Sequence, residues 1–74
     1  MMTDILYSVT DRVATLSFNR PEKKNAITVA MYAALADHLQ AAAADDAVRV
    51  IVIRGEGGAF TAGNDLQDFL KSPP

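Results

Sequence analysis

The stretch from Gly57 to Leu66 has residue types and a spacing that suit the binding of a negatively charged oxygen. It reads Gly-Gly-Ala-Phe-Thr-Ala-Gly-Asn-Asp-Leu and follows a strongly apolar run. Small residues at Ala62 and Gly63 allow a ligand to approach the backbone closely. A helix that begins near Asp65 would add unpaired N–H groups and a positive dipole end. Donors placed in this way stabilise negative charge on a carbonyl oxygen, which is the chemistry of an oxyanion hole.

The same stretch also has a purely structural interpretation, in which a tight strand-to-helix turn requires glycine and Asp65 caps the helix. Considered alone, the local pattern favours this interpretation, because short glycine patterns have many false positives. A phosphate loop is excluded, since no Gly-Lys-Ser/Thr follows. The glycine spacing also differs from the dinucleotide-binding fingerprint.

Other residues with reactive side chains are weaker candidates. The chain has one histidine, His38, and no cysteine, so no metal site is predicted. Glu22 follows a proline in a loop and Glu56 lies in a glycine turn, and both are interpreted as solvated carboxylates. Tyr7 and Tyr32 are expected at the edge of the core.

Hydrophobic periodicity predicts the elements that must position this stretch. Residues 5–9 and 13–18 alternate as strands around a Thr-Asp-Arg turn, which predicts a β-hairpin. The alternation places Ala14, Leu16 and Phe18 on one side of the second strand. Pro21 ends that strand, because proline cannot donate to a β-ladder.

The remaining pattern predicts a helix, a strand and a second short helix. The first helix is capped by Thr28, runs to about residue 44, and carries an apolar stripe formed by Met31, Leu35, Leu39 and Ala42. Residues 48–53 are nearly all apolar, as in a strand covered on both faces. A short helix near Asp65 is expected to bury Leu66, Phe69 and Leu70 and to end at residues 72–74. The predicted fold class is α/β, in the order β-β-α-β-α.

Composition limits the chain to one small domain, residues 1–74, with half of its residues apolar and a net charge of -2. Among its basic residues only Arg20, Lys23 and Lys24 cluster, which argues against nucleic-acid binding. The sequence lacks an apolar run of membrane-spanning length and a signal-type N-terminus, so we predict no membrane partner and a cytoplasmic location.

Three segments of the chain resemble motifs of the crotonase (enoyl-CoA hydratase/isomerase) superfamily. Residues 19–27, Asn-Arg-Pro-Glu-Lys-Lys-Asn-Ala-Ile, resemble its "RP…NA(L/I)" loop. Residues 46–55 resemble its central strand, and residues 59–66 resemble its "AF(C/S)AG-x-DL" motif. Together the three motifs cover nearly the whole chain in the right order. The run from Gly63 to Leu66, followed by Phe69 and Pro73-Pro74, is most similar to the Δ3,Δ2-enoyl-CoA isomerase branch.

The resemblance implies that the backbone N–H of Asn64 is one of two oxyanion donors to an acyl-CoA thioester. It also implies a substrate- and CoA-binding set composed of Lys24, Ala26, Ala62, Gly63, Asn64, Asp65 and Leu66. Ala26 and Ala62 would line the CoA moiety through main-chain contacts, and the basic cluster would lie near its phosphates. For each lysine the alternative is a solvated basic loop. Asn64 departs from the alanine or glycine that is frequent at this position, and its carboxamide is expected to alter acyl specificity. Coenzyme A would be part of the substrate, and no separate cofactor is expected.

The resemblance further implies that the second oxyanion donor and the catalytic carboxylates lie downstream of this segment. We therefore expect an N-terminal portion of a crotonase-like ββα spiral, incomplete in this chain and inactive by itself. Its apolar strand would have an uncovered face and an open edge. The expected partners are the remainder of a longer chain or further copies, as in the trimers common in the family. Two alternatives are a non-catalytic acyl-CoA-binding or assembly module and a small α/β interaction domain.

Overall fold

The computed structural model describes residues 3–71, which form a three-stranded sheet, one long helix and one short helix. The sheet order is β1-β2-β3, and the element order confirms the predicted β-β-α-β-α arrangement. The elements are β1 (Ile5–Thr10), β2 (Val13–Phe18), α1 (Val29–Ala44), β3 (Val50–Gly55) and α2 (Leu66–Lys71). No helix in this part of the chain is long and apolar enough to cross a membrane.

Strands β1 and β2 form the predicted hairpin, with Ile5 paired to Phe18 and Thr10 paired to Val13. Two residues connect the strands, Asp11 with φ 52° and Arg12 with φ 67°. Positive φ at both central residues is typical of a type I′ turn, whose twist matches that of the flanking strands. Aspartate tolerates this conformation well, and arginine adopts it at some cost.

The buried side of β2 is the predicted one, formed by Ala14, Leu16 and Phe18. Phe18 packs in one cluster with Ile5, Ile27 and Met31. Because Ile27 and Met31 flank the start of α1, this cluster anchors the chain where it enters the helix. Burial of apolar area of this kind stabilises the fold by roughly 25 cal/mol per Å².

Helix α1 begins as predicted, with the Thr28 hydroxyl accepting a hydrogen bond from the Met31 N–H at 3.1 Å. The apolar stripe is buried unevenly. Met31 and Ala42 are buried, whereas Leu35 is half-buried and Leu39 is exposed. The helix is therefore most tightly packed near its two ends.

Strand β3 runs parallel to β2, from the Val13–Val50 pair to the Phe18–Gly55 pair. It begins and ends two residues later than predicted. The prediction that both faces are covered is wrong for the described part of the chain, where residues 50–53 are each between 40% and 52% exposed. Strand β3 lies at one edge of the sheet. Helix α1 packs against β1 and β2 and leaves the faces of β3 uncovered. The expected uncovered face and open edge are both present.

The prediction that α2 buries three apolar side chains is wrong for two of them. Leu66 is 74% exposed and Leu70 is 82% exposed, whereas Phe69 is half-buried. Helix α2 contacts α1 through Asp68 and Phe69. Leu66 and Leu70, four positions apart, lie on the other side of α2 and face away from α1. The predicted end of the helix at residues 72–74 lies outside the described residues.

Candidate functional site

The Asn25 carboxamide ties the loop before α1 to the turn after β3. Asn25 is fully buried, and its Nδ2 donates to the Glu56 carbonyl at 2.9 Å and to the Ala59 carbonyl at 2.8 Å. Its Oδ1 accepts a hydrogen bond from the Arg20 N–H at 2.8 Å. Both N–H donors of the amide and its oxygen are thereby engaged. Sequence reasoning missed this role, because asparagine is usually exposed and no local pattern marks a buried one.

Arg20 ties the same loop to the first turn of α2. Its NH1 nitrogen donates to the Ala26 carbonyl at 3.0 Å and to Asp65 Oδ2 at 2.7 Å. The two side chains are only 17% and 14% exposed, so the ion pair is well shielded from water. Arg20 was expected near the CoA phosphates, but this nitrogen is engaged inside the loop. Two oppositely charged residues this far apart in sequence carry no local signal that they pair.

Asp65 has the predicted capping role, since its Oδ1 accepts a hydrogen bond from the Asp68 N–H at 3.0 Å. This hydrogen bond, followed by the hydrogen bond from Arg20, lowers the pKa of the Asp65 carboxyl below its ordinary value of 3.8. A group that is ionised throughout the neutral range and already paired is a poor proton donor. In the structure Asp65 is therefore a helix cap and an ion-pair partner.

Three of the four backbone N–H groups from Ala62 to Asp65 donate hydrogen bonds within the protein. The acceptors are the Lys24 carbonyl at 2.9 Å, Thr61 Oγ1 at 3.0 Å and the Ile27 carbonyl at 2.8 Å, for residues 62, 63 and 65 respectively. The Asn64 N–H has no acceptor among residues 3–71. One amide in the run is thus left available to a ligand.

The pairing of Asn64 with Ile27 explains why the Asn64 N–H is the one without an acceptor. The two residues form a parallel bridge, in which the Ile27 N–H donates to the Gly63 carbonyl at 2.7 Å and the Ile27 carbonyl accepts from the Asp65 N–H. In such a bridge the flanking residues supply the hydrogen bonds, and the middle residue points its own N–H the other way. The Asn64 amide is therefore directed away from Ile27.

Gly63 gives the loop the shape that exposes this amide. Its φ of 94° lies in a region that L-residues rarely adopt, although a Cβ atom there would meet no atom within 4 Å. Glycine is required here by conformation and not by crowding. Thr61 supports the turn, because its hydroxyl donates to the Asn25 carbonyl at 2.6 Å and accepts from the Gly63 N–H.

The structure brings most of the predicted site residues into one surface region. The hydrogen bond from the Ala62 N–H to the Lys24 carbonyl joins the loop before α2 to the loop before α1. Ala26 precedes Ile27, which forms the bridge with Asn64. Leu66 is the exception, since its side chain extends from the first turn of α2 towards solvent. Residues 3–71 form no enclosed cavity, so the site as described is an open surface.

The remaining candidates lie away from this region or are used elsewhere. His38 stacks on Tyr7 with ring centroids 4.7 Å apart, on the side of α1 that faces β1. Glu56 lies 3.4 Å from Arg54 in an exposed ion pair. Across the described residues no three metal-binding side chains cluster. Lys23 and Lys24 are exposed, and of the two Lys24 borders the site, through the hydrogen bond of its carbonyl with Ala62.

The arrangement of strands, helices and loop is that of the crotonase fold. The crystal structure of an enoyl-CoA hydratase/isomerase from Pseudoalteromonas atlantica T6c matches with a TM-score of 0.88 and 44% identity. That match covers 97% of this chain and 28% of the other. Residues 8–74 match the family model described as enoyl-CoA hydratase/isomerase. The chain belongs to the enoyl-CoA hydratase/isomerase family, as its motifs predicted.

Two curated relatives show how the chain compares with longer proteins. Human enoyl-CoA delta isomerase 2 is 42% identical over 64 residues, which are 86% of this chain and 16% of that protein. The 1,2-epoxyphenylacetyl-CoA isomerase of Escherichia coli K12 is 43% identical over 73 residues, which are 99% of this chain and 28% of that protein. The chain thus spans less than a third of either relative. Both names are consistent with the predicted isomerase branch.

Proposed function

We propose that this chain supplies the thioester-binding loop and one oxyanion donor of an enoyl-CoA isomerase or hydratase. The observation that carries the proposal is the Asn64 N–H, the one amide of residues 62–65 without an acceptor among residues 3–71. Relatives named for enoyl-CoA chemistry support an acyl-CoA substrate. The specific donor role rests on the geometry of the loop.

The chemical role of this amide follows from the charge that develops during the reaction. Forming an enolate from an acyl-CoA moves negative charge onto the thioester oxygen. A donor that is already aimed at that oxygen binds it more strongly in the transition state than in the ground state. One such donor is worth about 10²–10³ in rate. The bridge to Ile27 and the ion pair of Arg20 with Asp65 keep Asn64 in place before the substrate arrives.

The CoA moiety is proposed to lie along the surface where the two loops meet. Ala26 and Ala62 offer small side chains there, and Lys24 is exposed beside them. Lys24 is placed to approach a phosphate, although a solvated lysine contributes little to affinity. The second oxyanion donor and the catalytic carboxylate are proposed to come from outside residues 3–71. Coenzyme A enters as part of the substrate.

A non-catalytic acyl-CoA-binding module is the second candidate. It is favoured by the state of Asp65, the carboxylate next to Asn64, which is engaged as a helix cap and an ion-pair partner. A loop with a donor but without a free acid or base binds a thioester and transfers no proton. The two candidates agree on the ligand and differ on turnover.

Deleting the single N–H tests the donor role directly. In the protein purified as its gene encodes it, Asn64 is replaced by its α-hydroxy acid analogue, which exchanges the N–H for an oxygen atom and retains the side chain. We expect kcat with a 3-enoyl-CoA to fall about 10²-fold or more. The melting temperature should fall only slightly, because the ester carbonyl of Gly63 is a weaker acceptor for the Ile27 N–H. The control is Asn64→Ala, which retains the N–H and should lose far less in kcat.

The outcomes separate the candidates. Conversion of 3-enoyl but not 2-enoyl thioesters supports the isomerase, and hydration of 2-enoyl thioesters supports the hydratase. Tight binding without turnover of either substrate identifies the module. An unchanged kcat in the α-hydroxy acid variant would exclude the Asn64 amide as an oxyanion donor.

A further inference from the structure

The side chain of Asn64 is oriented by a tyrosine that the proposed function does not use. The Tyr32 hydroxyl donates to Asn64 Oδ1 at 2.6 Å, across 32 positions of sequence. Tyr32 lies in the first turn of α1, and Asn64 lies in the loop before α2. This is the one side-chain hydrogen bond of Asn64 within residues 3–71.

The Tyr32 hydroxyl is itself positioned by the docking of α2 on α1. The Tyr32 ring packs edge-on against Phe69, with centroids 6.2 Å apart and planes inclined by 67°. One residue earlier, Asp68 Oδ2 accepts a hydrogen bond from the Val29 N–H at 2.8 Å, at the start of α1. These two contacts fix the ring relative to the loop.

In the structure the hydrogen bond from Tyr32 occupies the oxygen end of the Asn64 carboxamide. An asparagine side chain has an oxygen that accepts and an NH₂ group that donates. Tyr32 engages the oxygen, and Nδ2 has no acceptor among the described residues. Asn64 is exposed, so Nδ2 is accessible from solvent. The side chain of Asn64 thus presents hydrogen-bond donors and not its acceptor.

We propose that Tyr32 and Asn64 form a specificity-determining pair that selects acyl groups bearing an oxygen acceptor over plain hydrocarbon chains. Asn64 Nδ2 donates to that oxygen, and Tyr32 is the positioning residue that keeps the carboxamide in the donor orientation. The inference rests on the proposed function, because it requires the Asn64 backbone N–H to bind the thioester oxygen.

Covalent geometry limits where the acyl oxygen lies. The backbone nitrogen and Nδ2 of one asparagine are about 3–5 Å apart, whatever the rotamer. A hydroxyl or carbonyl group on the third or fourth carbon of an acyl chain lies at a similar distance from the thioester oxygen. A short acyl group with an oxygen at one of these positions can therefore meet both donors of the residue at once.

The test compares two thioesters that differ in a single group. 4-Oxopentanoyl-CoA and 4-methylpentanoyl-CoA differ by a ketone oxygen in place of a methyl group, and the ketone can only accept a hydrogen bond. Neither carries a double bond or a 3-hydroxyl that the enzyme could turn over. Their Kd values are measured by calorimetry on the protein as its gene encodes it. We expect the 4-oxo thioester to bind about fivefold more tightly, as one neutral hydrogen bond at an exposed site allows.

Two tyrosine variants separate positioning from general effects. In Tyr32→Phe nothing holds the carboxamide oxygen away from the ligand, and a carboxamide turned that way offers a ketone no donor, so the ratio of the two Kd values should fall towards one. Tyr7→Phe is the matched control, because Tyr7 stacks on His38 on the side of α1 that faces β1 and should leave the ratio unchanged.

Equal Kd values in the unaltered protein, or an unchanged ratio in Tyr32→Phe, would overturn the specificity pair. If both thioesters bind equally well and the α-hydroxy acid variant still lowers kcat, the oxyanion role stands and only the selectivity fails. If neither thioester binds, both proposals fail together.

Discussion

Arg20 NH1 lies 2.7 Å from Asp65 Oδ2 and joins two loops that are 45 positions apart in sequence. The pair lies beside the candidate site, because Asp65 immediately follows Asn64 and Arg20 NH1 also donates to the Ala26 carbonyl. Both side chains are largely shielded from water. The ion pair therefore couples the stability of the fold to the geometry of the proposed oxyanion donor.

Breaking this ion pair should lower both stability and activity. In Arg20→Ala the Asp65 carboxylate loses its partner and Asn64 loses its support, so we expect a lower melting temperature and a lower kcat. The control is Arg54→Ala, because its ion pair with Glu56 is exposed, with side chains 60% and 37% accessible. Thermal unfolding of the two variants should give the larger drop for Arg20→Ala. Equal drops would show that the shielded pair has no special role.

The lowered pKa of Asp65 predicts a pH dependence of stability. Because the folded pKa lies below the ordinary value of 3.8, the unfolded chain binds this proton more readily than the folded protein. The stabilisation is therefore present above that value and is lost as the pH falls through the folded pKa.

Urea unfolding of the unaltered protein and of Asp65→Asn, which has no titrating group at this position, measures this dependence. The stability difference between the two should be full at pH 7 and at pH 5 and should shrink towards pH 3. A difference that is constant over this range would show that the carboxyl titrates alike in the folded and unfolded states.

Removing the Asn25 carboxamide should be strongly destabilising. In Asn25→Ala the carbonyls of Glu56 and Ala59 lose their donor inside the protein, at a cost of about 3 kcal/mol. Chemical denaturation measures the change. The control is Asn19→Ala, whose amide donates to the Thr3 carbonyl at an exposed position and should cost much less. A cost below that of Asn19→Ala would contradict the role of Asn25 in tying the loop before α1 to the turn after β3.

Gly55 should not tolerate a side chain. A Cβ atom there would lie 2.1 Å from the Ala59 carbonyl oxygen and 2.5 Å from that of Phe60, so the turn after β3 would have to move. We expect Gly55→Ala to cost about 3 kcal/mol, in the range of overpacked interiors.

Gly58→Ala is the matched substitution for Gly55→Ala. Its φ is 94° and a Cβ atom would meet nothing within 4 Å, so it bears only the conformational cost of about 1 kcal/mol. Equal unfolding free energies for the two variants would show that the turn after β3 relieves the crowding at Gly55 without loss of stability.

The sequence by itself determined the elements and the family of this protein. Alternation identified the buried side of β2, Thr28 marked the start of α1, and Asp65 marked the start of α2. These features depend on residues within a few positions of each other, so they can be read from a local pattern. The motif around Gly63 and Asn64 likewise indicated a candidate site, because its residues are consecutive.

Only the tertiary structure decided which groups at the site are occupied and which are available. The burial of Asn25, the pairing of Arg20 with Asp65 and the hydrogen bond from Tyr32 to Asn64 join residues 31 to 45 positions apart. The exposure of β3 depends on where α1 packs, and that is also a non-local property. A pattern of residue types records preferences of single positions, whereas hydrogen bonding and burial depend on the distances that folding creates between them.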